Sequence, residues 1–511
     1  MTAKRRTAVG LLVLGATALP WSVGAAGAAP AAPAVASAAA PTTGRALVAV
    51  AAATMRTTTN TRKKVITTFT TAVPAAETYV LRLHLAPRSG LAGRRSTWNV
   101  IAEGRTVASA VTRKPGVLDI PVAVTDSNLN VSVTALRGQA PVSSVEVLRR
   151  PTGPAVPVAG RSQPVEAYGA VGDGRTDDTA ALQRAFDTVP TGTTLTLTAG
   201  RTYPHSDVLH LRRPGTRLTG TGTLLATRED RSSVWIEADN ITLEDLTLTI
   251  TPTSRRWEAW EQMRLRAVGH TGLVLRGITI DGAAAAGIYL GGASNFTLYR
   301  VTVRNTRSDG IHMTSGSNNG QVLRPTVTSS GDDGIAVISY EQDGTPAHNI
   351  TITSPTVLGT TWGRGISVVG GTNITYTDVR IERSSAAAIY IGSEGAPWNT
   401  APAIGVRVTG GTLHQSNTST NVDHGAIVIL SAGRLAPRDI HLTGLTITNT
   451  RPTAGRDVGV ITYNTTPSNI TLDNFTITST GHNAYSGNTD PRAYALTRWT
   501  VNGQTLPDHK P

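Results

Sequence analysis

The chain has 511 residues, of which 39% are hydrophobic and only 16% charged, with 51 Gly, 28 Pro, no Cys and a formal charge of +13. Without cysteine there are no disulfides and no thiolate metal sites, and a Thr- and Gly-rich, aromatic-poor composition favours many short strands and turns over a helical bundle. The positive balance suits acidic polymers as partners. No basic–aromatic pattern of nucleic-acid recognition stands out, so the surplus arginine reads first as a solvated surface.

Taken in chain order, residues 1–28 read as a secretory signal peptide. Lys4, Arg5 and Arg6 form the basic start, an apolar run extends from about Ala8 to Trp21, and Ala26–Ala28 offers a small-residue cleavage site. Arg5-Arg6 also permits a twin-arginine route. The apolar run is too short to span a bilayer, so the expectation is a secreted, extracellular protein with no membrane partner. Loss of Lys4, Arg5 and Arg6 with the signal, and of no acid, takes the charge from +13 to +10. Residues 29–45 form an Ala/Pro-rich linker.

From 46 to 155 the pattern becomes short alternating runs, "TYVLRLHL", "STWNVIAEG", "GVLDIPVAV", "NLNVSVTAL" and "VSSVEVLRR", broken by Gly, Pro and polar turns. That predicts a small β-sandwich. Its closing stretches resemble a malectin-like or carbohydrate-binding module. Trp98 is its only tryptophan, so the alternative is a structural sandwich.

A second domain is expected over 164–505. "VEAYGAVGDGRTDDTAALQRAFDTV" opens it with a strand, an Asp173-Gly174 turn and a helix. Thr176 and Asp177 are capping residues for that helix, and Ala181, Leu182, Ala185, Phe186 and Val189 form its apolar face. Asp177 and Asp178 therefore have a structural role.

A repeated phrase follows: "DNITLEDLTLTI", "TGLVLRGITIDG", "SNFTLYRVTVRNT", "HNITITSPTVLGT", "TNITYTDVRIERS", "RDIHLTGLTITNT" and "SNITLDNFTITST". Leu273, Phe296, Val322, Ile350 and Ile374 recur at 23, 26, 28 and 24 residues, a solenoid period. Each unit holds two or three short strands with no helix between them, which predicts an all-β fold, a right-handed parallel β-helix. The recurrent "N-[IF]-T" phrase (Asn240, Asn295, Asn349, Asn373, Asn469, Asn474) reads as asparagines stacked at one turn of each coil rather than as glycosylation sites.

A second phrase aligns on a small residue: "AAGIYL", "SDGIHM", "DDGIAV", "GRGISV" and "AAAIYI", with Gly287, Gly310, Gly334, Gly365 and Ala388 stacked one per coil. Strand alternation sends Ile288, Ile311, Ile335, Ile366 and Ile389 inward. Tyr289, His312, Ala336, Ser367 and Tyr390 then point outward to solvent. The residues before the small position, including Asp309, Asp333 and Arg364, are expected on the same outer side, with Asp332 at its edge.

Stacked coils lie ~4.8 Å apart, which brings Asp309, Asp332 and Asp333 together. Three carboxyl groups this close cannot all ionise freely, so at least one is held protonated beside a carboxylate. A proton donor beside an acceptor is what glycosidic hydrolysis requires. His312 and Arg364 are candidates to tune these groups or bind substrate, and Tyr289 and Tyr390 to stack on sugar rings. "WEAWEQMRLRAV" interrupts the coils as a loop or short helix, with Trp257 and Trp260 as further substrate-binding candidates. Singly, each of these residues is ordinary surface; together, three acids on neighbouring coils of one face are not explained by packing.

Over Pro164–Thr480 the sequence resembles the polygalacturonase family of glycoside hydrolases (family 28) and the wider pectate-lyase-like β-helix superfamily. "YGAVGDGRTDDTAALQ" is similar to the opening of many such domains, "RSDGIHM" stands where that family has Asn-Thr-Asp-Gly, and "SGDDGIAV" where it has its Asp-Asp phrase. The resemblance implies a general acid at Asp332 or Asp333, with Asp332 favoured, and an inverting attack by water activated by Asp309 and the remaining aspartate. Two phrases depart from the family: its Gly-His-Gly is "GRGISVVGG" here, with Arg364 for the histidine, and its Arg-Ile-Lys uronate grip is "AIYIGSE".

The leading expectation is thus a secreted, monomeric polysaccharide-degrading glycosidase that needs no cofactor or metal, acting on a polysaccharide that is neutral or acidic. A Ca²⁺-dependent polysaccharide lyase, with the aspartates on the ion and Arg364 as base, is the second. A non-catalytic glycan-binding β-helix is the third.

Overall fold

The computed structural model describes residues 48–52, 56–59, 65–72, 78–85, 97–111, 116–124, 128–137, 142–149, 161–479 and 481–511. The predicted signal peptide (1–28) and linker (29–45) lie outside the described residues. Among the described residues, no helix is long and apolar enough to cross a membrane. The described residues fall into two compact units, 48–149 and 161–511.

In the first unit the strands pair antiparallel in two sheets, the β-sandwich expected from the alternating runs. One sheet orders Val48–Ala52, Val142–Arg149, Thr78–Leu85 and Gly116–Ala123. The other orders Arg56–Thr59, Val65–Ala72, Asn128–Arg137, Thr97–Ala102 and Arg105–Val111. Alternate residues are buried, Leu81, Leu83, Ile120 and Val122 in the first, Val100, Leu129, Val131 and Val133 in the second. That period of two is the mark of a sheet with one covered face.

The second unit opens with a helix, Thr179–Thr188, whose Ala181, Leu182, Ala185 and Phe186 are buried. Its start differs from the sequence expectation. Thr176 does not cap it; Thr176 is folded back onto Asp173, which accepts its amide at 2.7 Å. Asp177 accepts the amide of Thr179 at 2.9 Å. Asp178 turns away from the helix and takes the amides of Val171 and Gly172, at 2.6 and 2.9 Å. Both aspartates are structural, as their spacing suggested.

Beyond the helix the chain winds as a parallel β-helix. One sheet of 11 parallel strands runs from Leu209–Leu211 to Asn483–Tyr485, and a 24-strand ladder wraps the remaining faces. Ile288, Ile311, Ile335, Ile366, Ile389, Ile427 and Val458 stand in register on successive strands of the 11-strand sheet. All are essentially inaccessible to water. Burying such a column, at about 1.5–3 kcal/mol per aliphatic side chain, is the main force holding the coils in register.

The small-residue column follows from the same stacking. A β-carbon on Gly310 or Gly334 would come within 2.6 or 2.5 Å of a carbonyl oxygen of the next coil. The asparagine stack is present too: Asn373 donates to Asn349 at 2.7 Å and Asn349 to Asn319 at 3.3 Å, all three with left-handed backbone. One register differs from the repeat alignment. Val322 stands against Leu298 and Ile352, and Gly320 faces Ile350. The phenyl ring of Phe296 occupies the space beside Gly320, where any β-carbon would lie 2.0 Å from it.

Candidate active site

The stacking that buries the isoleucines carries the residues before them to one place. Asp309, Asp333 and Arg364 each lie two positions ahead of the isoleucine on three successive strands. The backbone amide of Asp333 donates to Asp309 Oδ1 at 3.0 Å. In turn the backbone amide of Arg364 donates to Asp333 Oδ1 at 2.7 Å. Asp332 closes the set, with one carboxylate oxygen from each aspartate within 4.8 Å of the others. The predicted three-acid cluster is formed.

Their surroundings differ. Asp309 is held by His312, whose Nδ1 lies 2.6 Å from Oδ2. Asp333, only 3% exposed, takes the Ser367 hydroxyl on Oδ2 at 2.6 Å and has the Arg364 guanidinium 3.5 Å away. Asp332 accepts from Arg256 Nη1 on Oδ2 at 2.9 Å. Its Oδ1 is buried with no partner among the described residues. Gly363 makes room for that oxygen, since a β-carbon there would lie 2.4 Å from it.

Burial, with the charges of Asp309 and Asp333, pushes Asp332 up to about 7, against the opposing pull of Arg256 and Arg364. Burial also raises Asp333, with Arg364, Ser367 and the Arg364 amide holding it back. Arg364 is driven the other way. Its burial is outweighed by Asp333 and Glu394, and its proton is held more tightly than in free arginine. Its Nη2 donates to Glu394 at 2.8 Å. A guanidinium so paired gives up its proton less readily than free arginine, which weighs against the arginine step of the lyase expectation.

The carboxylate set is also a poor cage for Ca²⁺, which takes six to eight oxygen ligands. Both oxygens of Asp309 and of Asp333, and one of Asp332, are already engaged by donors. Two of the neighbours are cations, Arg256 and Arg364.

A cavity of ≈ 740 Å³ opens over the cluster. Its wall includes residues that the strand pattern did not single out: Arg256, Tyr340, Trp362, Glu394, Trp398 and His424. All come from segments between strands, where no periodicity marks them. Trp362 is 48% exposed.

Several sequence-predicted residues take other places. Tyr390 lines the cavity but not as a solvent-facing stacking platform; it is 3% exposed, lies under the Arg364 guanidinium at 4.2 Å, and donates to Glu394 at 2.8 Å. Ala336 and Ser367 point outward from the coil core yet are fully buried. The outer face has its own apolar cluster there, Val369, Ala387, Tyr390 and Val428, so outward on a strand does not mean exposed. Tyr289 stacks on His312, centroids 5.2 Å apart and planes 5° off parallel, and supports the Asp309–His312 pair. Trp257 and Trp260 are not in the cavity wall, although Arg256 and Glu258 of the same insertion are. Trp257 carries the Arg255 guanidinium at 3.8 Å and Trp260 that of Arg266 at 4.3 Å.

Comparison with known proteins places this geometry in context. Residues 163–390 match the family described as rhamnogalacturonase A/epimerase, pectate lyase-like. None of the curated proteins matches the chain. Among solved structures, the catalytic domain of a GH87 alpha-1,3-glucanase in complex with nigerose aligns with a TM-score of 0.55 at 16% identity, over 87% of this chain and 89% of that one. An aspartate-to-alanine variant of a GH87 alpha-1,3-glucanase catalytic domain, in complex with tetrasaccharides, aligns at 0.53 and 16% identity, over 86% and 88%. These likenesses establish a shared β-helix fold.

Proposed function

We propose that this protein is a secreted glycoside hydrolase that cleaves a polysaccharide, with Asp332 as general acid and Asp309 and Asp333 activating water. The observation that carries the reading is Asp332: a cavity-lining carboxyl group pushed up to about 7, flanked by two carboxylates, with Oδ1 unpartnered among the described residues. A carboxyl group in that state holds its proton near neutral pH and delivers it to the leaving oxygen. Asp333 N–H on Asp309 Oδ1 fixes the water-activating pair to each other.

Inversion at the sugar carbon is part of the proposal. The carboxylate oxygens approach within 4.8 Å, nearer than the ~6.5–9.5 Å of a two-carboxylate inverting site. The assignment of inversion therefore rests on Asp309 and Asp333 acting together on the water rather than on one base set apart from the donor. The solved GH87 structures include alanine variants at three aspartates separated by 23 residues and by one. Asp309, Asp332 and Asp333 have the same spacing, which supports assigning them jointly.

The sugar at the point of cleavage is neutral in this reading. The cavity wall holds five carboxyl residues against three arginines. Arg256 is spent on Asp332, Arg364 on Asp333 and Glu394, and Arg307 on Thr253. Arg307 alone has no carboxylate partner, and the two guanidinium groups at the aspartates are already neutralised. Tyr340, Trp362 and Trp398 offer ring faces to a pyranose instead.

The test is a screen of purified protein on neutral polysaccharides, including alpha-1,3-glucan, and on acidic ones, with and without EDTA. New reducing ends on a neutral polymer, no unsaturated-uronate absorbance and indifference to EDTA are expected. Rising absorbance abolished by EDTA overturns the hydrolase in favour of a lyase. Binding without cleavage on every polymer leaves a glycan-binding protein.

A further inference from the structure

Tyr340 lines the aspartate cavity, and it also lines a second cavity, of ≈ 470 Å³. The two adjoin along another stretch of chain as well: Trp398 and Thr400 line the first, Ala401 and Pro402 the second. Gly344, Pro346 and Leu435 complete the second wall. Asp332 and Asp333 stand just before the strand Ile335–Ile338, and Tyr340 just after it. That strand of 4 residues is about 13 Å long. The second cavity therefore lies more than one sugar unit from the aspartates.

Its wall is made by the segments that follow the strands Ile335–Ile338, Ile389–Ser393 and Ile427–Ser431 of the 11-strand sheet. The strand between the first two of these, Ile366–Val369, runs straight into Gly370-Gly371. A β-carbon on Gly370 would lie 2.7 Å from the carbonyl oxygens of both Ser339 and Ala401, so glycine is what lets the flanking segments meet over this coil. There the Ala401 amide donates to the Ser339 carbonyl and the Glu341 amide to that of Asn399, each at 2.9 Å. Ser393 Oγ donates to the Leu435 carbonyl at 3.0 Å, and Arg434 pairs with both carboxylate oxygens of Glu341. A wall tied together in this way is formed before a ligand arrives, which lowers the ordering cost of binding.

Pro346, Ala401, Pro402 and Leu435 give the second cavity an aliphatic lining, with Tyr340 at the junction. Its two charged side chains, Glu341 and Arg434, neutralise each other. A carboxylate-bearing sugar would meet no free cation there. A neutral pyranose presents an apolar C–H face to such a wall and keeps its rim of hydroxyls in water. We propose that this cavity is a distal subsite, holding a neutral sugar by its ring face on the same polysaccharide chain that is cut at the aspartates. The enzyme then grips an extended stretch of chain, and its preferred ligand is longer than the aspartate cavity alone accommodates. This rests on the aspartate cavity being a polysaccharide site.

The test uses Leu435→Asp, a charge placed on the wall at a position 57% exposed, where folding does not depend on the side chain. Binding is followed in the Asp332→Asn background by affinity electrophoresis through gels carrying dextran, pullulan, galactomannan or xyloglucan, and by sedimentation with insoluble alpha-1,3-glucan. At least one polymer is expected to bind, and Leu435→Asp to weaken that binding by about ten-fold or more with the melting temperature unchanged. With Asp332 intact, Leu435→Asp is expected to lower kcat/KM about ten-fold on the polymer that is cleaved, and to leave the shortest oligosaccharide cleaved within about two-fold. Failure of every polymer to bind overturns the subsite. So does unaltered binding in Leu435→Asp, including the case where that substitution instead dissolves a dimer on size exclusion, which marks a contact between copies of the chain. The two readings fail separately. Cleavage whose dependence on chain length ignores Leu435→Asp sinks only the subsite, and Leu435-dependent binding without cleavage of any polymer sinks only the hydrolase.

Discussion

Arg256 and Asp332 are 76 residues apart in the chain, and Arg256 Nη1 donates to Asp332 Oδ2 at 2.9 Å. The pair joins the segment that interrupts the coils to the acid at the centre of the cavity. It also divides the carboxyl group in two: Oδ2 anchored by Arg256, Oδ1 buried without a partner among the described residues.

Replacing that acid is the most direct check. Asp332→Asn keeps the shape and removes the transferable proton. It is expected to lower kcat by about 10²–10⁴-fold on whichever polysaccharide is cleaved, with KM little changed. Steady-state kinetics decide this, and retention of more than about a tenth of the activity sinks the assignment.

Because Asp332 is held up to about 7, the rate has an alkaline limb. The acid must be protonated, so kcat/KM is expected to fall as pH rises through about 7. Arg256→Gln removes a cation that lowers the Asp332 value, and is expected to shift the limb upward. A limb that ignores this substitution means that another group sets it.

Stability carries the opposite sign from the usual aspartate. Asp332 and Asp333 are both raised in the folded state, so between the unfolded value near ~4 and the folded value of Asp332 the folded protein binds more protons. Unfolding free energy therefore declines over that interval as pH rises. Denaturant unfolding at pH 5 and pH 8 is expected to show greater stability at pH 5. The difference is expected to shrink in Asp332→Asn, which keeps its neutral form throughout.

Arg364 holds the buried Asp333 and the half-buried Glu394 at once. Arg364→Gln leaves Asp333 and Glu394 short of a cation, and is expected to cost about 3–5 kcal/mol of stability together with most of the activity. A variant as stable as the parent assigns Arg364 no part in holding the cluster.

Trp362 stands half exposed on the cavity wall. Trp362→Ala is expected to raise KM by about three- to ten-fold with the melting temperature unmoved. An unchanged KM places the sugar elsewhere in the groove.

Product stereochemistry tests the water-activating pair. The first anomer released, followed by proton NMR, is expected to be inverted. Retention requires one of the three carboxylates to be a nucleophile instead.

How far the sequence reaches is visible in particular residues. The isoleucine column and the gathering of Asp309, Asp332 and Asp333 were readable from the repeat because a strand alternates with period two and stacked coils keep register. A two-residue misalignment at Val322 did not disturb that reading, since a shift of two preserves which side faces inward. The small residues at Gly310 and Gly334 were readable for the same reason: stacking leaves no space for anything larger.

Arg256, Trp362, Glu394, Trp398 and His424 were decided only by the tertiary structure. They lie in segments between strands, whose course over the outer face no local periodicity encodes. The same segments and the outer apolar cluster bury Tyr390 and Ser367, which the alternation alone turned toward solvent. The sequence by itself therefore determined the fold and the three acids, because both follow from a repeating local pattern. How Asp332 is anchored, and which side chains line the cavity above it, depended on contacts between distant segments, Arg256 against Asp332 above all.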